Sequence, residues 1–145
     1  MNIRILWLIT FFVLLTTTLH AQNLIRSPKG YSPQVGAIVS MLDDLKKRVT
    51  NSVRNLSQQQ TDFLLDEDAN RIGALILHLA ATEKYYQVYS FQNRGYNCAE
   101  KLKWDIPMNL GKKVQITLQG KPISYYLMYL KIIEIQALCS LKEVG

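Results

Sequence analysis

The side chains in this chain that could hold a metal, move a proton or attack an electrophile are few. There are two histidines, His20 and His78. His78 lies in an apolar run, Ile72 to Ala81, broken otherwise only by Gly73. It has two readings, a metal ligand or a buried imidazole satisfied by a neighbour. Alone, it favours the second, because one neutral imidazole holds a metal weakly and a closed or catalytic site needs several protein ligands. The positions three and four residues away are Ala74, Leu75, Ala81 and Thr82, so no carboxylate on the same turn supplements it. Glu83 falls about 140° further round a helix. It is read as a bundle-facing carboxylate with a hydrogen-bond partner.

Cys98 and Cys139 are the only cysteines. In an exported chain they could form one disulfide, which would restrict the unfolded state. The alternative is two unpaired thiols, with Cys139 a small core residue. Neither has the context of a nucleophile or a zinc knuckle. Tyr85, Tyr86 and Tyr89, and likewise Tyr125, Tyr126 and Tyr129, read as amphipathic packing residues whose hydroxyls reach water. Asn55-Leu56-Ser57 fits a glycosylation sequon at a helix end. No serine or cysteine triad, phosphate loop or paired-carboxylate site is evident, and no catalytic or cofactor-binding residue is assigned.

The chain opens as a secretory signal would, which is expected to remove His20. Arg4 precedes an apolar core from Ile5 to Leu15, and Ala21 offers a cleavage site. The core is short for a membrane span. The expectation is a signal peptide over residues 1–21, a polar lead-in over 22–31 and one helical domain over 32–145. The product would be periplasmic or secreted, with no stable membrane span after cleavage. The formal charge of +6 falls to +5 once Arg4 is removed. Its densest cluster, Lys46 to Arg48, follows Asp43 and Asp44, the pattern of a solvated helix face with charge pairs one turn apart. No basic stripe is interleaved with aromatics, so nucleic-acid binding is not expected.

Three long helices must position these residues. Ser32 reads as an N-cap and Pro33 as the first helical residue. Apolar residues then recur at three- and four-residue spacing from Val35 to Leu56. Ser57 and Gln60 make a capping box for a short turn anchored by Phe63, Leu64 and Leu65. After the acidic loop Asp66 to Ala69, Asn70 is the expected cap of the second long helix, ending near Ser90. A helix this apolar should be largely buried. Gln92 to Lys121 is ambiguous. A short helical turn is expected at Ala99 to Trp104 and a weak strand at Val114 to Leu118. The stretch should wrap over the bundle through Tyr96, Trp104, Ile106 and Met108. Pro122 opens the third long helix, with Ile123, Leu127, Leu130, Ala137 and Leu141 on one face, widened by Tyr126 and Ile133.

Several of these segments resemble one family. GYSPQVGAIVSMLDDLKKRV (Gly30 to Val49), NLSQQQTDFLLDEDANRIGALILHLAATEKYYQ (Asn55 to Gln87) and GKPISYYLMYL (Gly120 to Leu130) are similar to segments of the DinB-like superfamily. Its most specific match is NRIGALILHLA, Asn70 to Ala80. The resemblance implies an all-α, up-down four-helix bundle. In its metal-binding members one histidine of the second helix joins an H-x-x-x-H pair of the fourth around zinc or nickel. His78 matches the first ligand, and nothing up to Gly145 matches the pair. The expected fold therefore has three long helices, with the fourth missing or supplied by a partner. The chain is then a truncated or degenerate relative of metal-dependent, thiol transferase-like enzymes. The alternatives are a transferase or hydrolase-like enzyme completed across an oligomer interface, and a non-catalytic envelope binding or scaffold protein. A homo-oligomer or partner chain is expected in each case where the helix faces stay uncovered, and metal binding by the isolated chain should be weak or absent.

Overall fold

A computed structural model describes residues 25–144, so the expected signal peptide and the first residues of the lead-in lie outside the described residues. Six helices follow in order: α1 Pro33–Val53, α2 Gln58–Thr61, α3 Ile72–Gln92, α4 Cys98–Asn109, α5 Lys112–Thr117 and α6 Ile123–Val144. There is no strand among the described residues. None of these helices is long and apolar enough to cross a membrane.

Pro33 starts α1 as expected, although the Ser32 side chain makes no capping hydrogen bond among the described residues. The lead-in is strapped to this helix. Ser40 donates to the Arg26 carbonyl at 2.8 Å, and a Cβ on Gly36 would lie 1.8 Å from Ser27 Oγ. Gly36 thus permits a close crossing that any larger residue would block. On the outer face, Lys47 pairs with Asp43 and Arg48 with Asp44, both at 2.7 Å and one turn apart.

The capping box of α2 forms in both directions, Gln60 N–H to Ser57 Oγ and Ser57 N–H to Gln60 Oε1. Of its expected anchors only Leu64 is half-buried. Phe63 and Leu65 are exposed, Leu65 at 80 %, and the buried residue is Thr61. A helix of one turn leaves these residues in the loop beyond it, where nothing packs over them.

Asn70 does not cap α3. The cap position is Arg71, and Asn70 Oδ1 accepts the Gly111 N–H at 3.2 Å instead. Arg71 donates to the Asp62 carbonyl and, at 3.2 Å, to the Gln115 carbonyl, while Gln115 Nε2 donates to the Ala69 carbonyl at 2.6 Å. Long side chains therefore join the start of α3 to α5, and the short Asn70 is used for the same purpose. The far end stops at Asn93, whose φ of 48° is the left-handed conformation asparagine tolerates.

Within residues 92–121 two short helices form, and the strand expected at Val114 to Leu118 is absent among the described residues. Asn97 and Glu100 form a second capping box at the head of α4. The expected turn at Ala99 to Trp104 extends to Asn109 with Pro107 inside it. The alternation at Val114 to Leu118 is instead one and a half turns of α5, with Val114 and Gln115 buried. The wrap is real: Trp104 is in the core, and Tyr96 and Met108 pack against it.

α3 and α6 form the central pair. Gly73 lies against Tyr126, and Lys84 reaches Gln136 at 3.3 Å, so the two helices run in the same direction. The α4–α5 segment is the crossover this requires. The order is up-down-down, in place of the simple alternation expected. A Cβ on Gly73 would fall 2.5 Å from the Tyr126 ring, so glycine is what lets this fully buried tyrosine seat on α3. The core gathers Ile76, Leu77, Ala80, Ala81, Trp104, Ile123, Tyr126, Leu130 and Ile133.

Candidate functional site

His78 is half-buried on the α4 side of α3. Its Nδ1 is 2.9 Å from the Pro107 carbonyl. A carbonyl can only accept, so Nδ1 is the donor and, in the neutral ring, Nε2 keeps its lone pair. Pro107 O is available because it is near the end of α4, and the Gly111 N–H that could have bonded it goes to Asn70. This is how a protein often holds a metal-ligating imidazole. Zinc or nickel would nevertheless need several converging donors. Among the described residues no three His, Cys, Asp or Glu side chains converge, and the residues present do not form a metal centre around His78. Cys98 and Cys139 are unpaired among the described residues, and both are exposed, so Cys139 is not the core residue considered above.

An open groove lies elsewhere. A groove of about 470 Å³ runs between α1, α3 and α6. Each helix contributes a seam with the same spacing of four, three and four residues. On α1 it is Ile38, Leu42, Leu45 and Val49; on α3 Leu79, Glu83, Tyr86 and Ser90; on α6 Leu130, Glu134, Ala137 and Leu141. Each seam is about 16 Å long at 1.5 Å per residue. The walls are apolar and accessible, with Leu79 45 % and Tyr86 60 % exposed.

The floor is charged. Glu134 is only 3 % exposed, and its Oε2 forms an ion pair with Lys46, which reaches across from α1. Its Oε1 has no hydrogen-bond partner among the described residues. Glu83 Oε1 is likewise buried without a partner there, so the expected hydrogen bond is not made. Burial pushes the Glu83 carboxyl up to about 7; the nearby Glu134 charge adds to the rise and Lys46 opposes it. Two carboxylates thus share one lysine in apolar surroundings. Gln87, also buried, donates to the Ile133 carbonyl at 2.8 Å and fixes α3 against α6 at this level.

His78 and Glu83 therefore belong to different sides of α3, as their angular separation required. The sequence reading missed Lys46 and Glu134. Lys46 stands in sequence among the solvated Lys47 and Arg48, and Glu134 is a lone carboxylate on a largely apolar stretch of helix. Its signal was present: a carboxylate at a four-three-four position between Leu130 and Ala137.

The tyrosines divide as well. Tyr85 stacks on Tyr89 at 5.9 Å and meets Tyr96 edge-on at 5.3 Å. Tyr126 does not reach water: its hydroxyl is buried with no partner among the described residues, and burial raises its pKa to about 12. No protein-family model matches the chain, and no curated protein matches it.

Proposed function

We propose that the protein is an exported helical binding module of DinB-like descent, whose working surface is the groove between α1, α3 and α6. The observation that carries this reading is the buried Glu134, paired with a half-buried Lys46 and with Glu83 beside it, at the floor of an accessible apolar groove. Removing ions from water costs several kcal/mol each, so charges set among Leu42, Leu130 and Ala137 are costly to keep unless they serve recognition or specificity. Exposed apolar clefts with a few convergent polar groups are where ligands and partner chains bind. The motif at Asn70 to Ala80 supports the descent, and Arg4, Ile5 to Leu15 and Ala21 support export.

The neutral fluorophore N-phenyl-1-naphthylamine tests the surface. It should bind one per chain, and Leu79→Glu should abolish binding without altering the helical circular dichroism. Unchanged binding in that variant would place the site elsewhere.

A second reading has one observation in its favour. The His78–Pro107 hydrogen bond holds the imidazole as a metal ligand is held, which suits an enzyme whose remaining ligands come from a partner chain or a second copy. Zinc and nickel titration of the full chain separates the two. Weak, non-stoichiometric binding is expected; tight binding lost in His78→Ala would favour the enzyme.

A further inference from the structure

The three seams run side by side for three turns, a length that matches the apolar face of one more helix. Four-three-four recurrence keeps residues facing a partner helix along its length, as in coiled coils. The groove is open on one side, bounded by a helix on each of the others, and three turns long. Its occupant must also answer the charge on the floor. Glu134 and Glu83 occupy the equivalent second position of their seams, with one buried carboxylate oxygen each that lacks a partner among the described residues. Lys46 already serves the other oxygen of Glu134.

On the groove reading above, we propose that the occupant is an amphipathic helix of another polypeptide, whose apolar stripe carries a central lysine or arginine that pairs with Glu83 and Glu134. The stripe covers Leu79, Tyr86 and Leu45, which are otherwise exposed. The cation balances Glu83 in its ionised form, as Lys46 balances Glu134. An acidic residue at the same place would meet two carboxylates, and a neutral apolar one would leave both oxygens unanswered.

The test uses the full chain and synthetic helices of about 20 residues, long enough to hold a helix. One carries leucines at four-three-four spacing with a central arginine. Two others carry norleucine or glutamate there. Fluorescence anisotropy should give a Kd about tenfold or more lower for the arginine peptide than for the norleucine one, as expected of a charge-assisted hydrogen bond. The glutamate peptide should bind weakest. Glu83→Gln, which preserves shape, should shrink the arginine preference, and Glu83→Lys should turn it toward glutamate.

Equal Kd values for the three peptides, or no binding, would overturn the inference. Stoichiometric naphthylamine binding in that case would show that the groove still binds apolar ligands and that only the helical occupant is wrong. Self-association that excludes the arginine peptide would overturn it in favour of a second copy of this chain.

Discussion

The two sides of α3 differ sharply in the fold. The side facing α6 and α4 is built from small residues, Gly73, Ala74, Ala80 and Ala81, together with Ile76 and Leu77, and it is sealed. The side facing the groove carries Leu79, Glu83, Tyr86 and Ser90 and stays open. Small residues let the parallel α3–α6 pair approach closely, and Trp104 and Tyr126 then fill the space beside them. Large residues around a fixed charge instead leave a surface into which another element fits. Apolar content alone does not distinguish a packing face from a receiving face; side-chain size and the placement of charge do.

If the sealed side holds the fold together, truncating Trp104 should have the largest effect. Trp104→Ala is expected to cost about 4 kcal/mol, and Leu79→Ala on the open side under about 1 kcal/mol. Urea denaturation compares them, and equal losses would remove the distinction between the two sides. Gly73→Ala should cost about 3 kcal/mol, because the added methyl strikes a ring with no room to move. Tyr126→Leu in the same chain should recover part of that loss.

On the open side the charges are the sensitive point. Lys46→Met leaves Glu134 buried and unpaired, and should cost about 2 kcal/mol, reduced from the fully buried case because Lys46 keeps some contact with water. The double variant Lys46→Met with Glu134→Leu should return to near the parent stability. If both versions lose equally, packing matters there and pairing does not.

The same floor predicts a pH slope. The Glu83 carboxyl is held at about 7 against an ordinary 4.5, so the folded chain keeps a proton that the unfolded chain gives up. Its contribution is complete below the unfolded value and is lost as pH rises through about 7. Urea midpoints should therefore fall from about pH 5 to about pH 8, and Glu83→Gln should flatten this part of the curve. Glu100 works the other way. Its hydrogen bond from Arg94 holds it down to about 2, so its small, solvent-screened contribution is lost only in acid.

The long helices were legible because their signals are local. The three-four recurrence of Val35 to Val53, the Ser57–Gln60 box and the apolar face opened by Pro122 each act within a few turns, and each formed. The cap at Asn70 failed because a distant N–H, that of Gly111, took its side chain. The strand expected at Val114 to Leu118 failed because five alternating residues fit α5 equally well once Gln115 turns inward to bond Ala69. The helix before it carries a signal beyond the expected turn: Asn97 and Glu100 stand at the spacing of a capping box. The charged floor of the groove was hardest to read. Lys46 meets Glu134 across 88 positions of chain, and that pairing appears only once α1 lies on α6.

The groove is tested most directly by methyl-resolved NMR of the full chain titrated with the arginine-bearing helix. Shifts should concentrate at Val49, Leu79, Leu130 and Leu141, which line the groove, and should be small at Ile76 and Val114, which lie in sealed parts of the fold. Shifts centred on the sealed residues, or spread evenly over both sets, would contradict the assignment of the groove as the working surface.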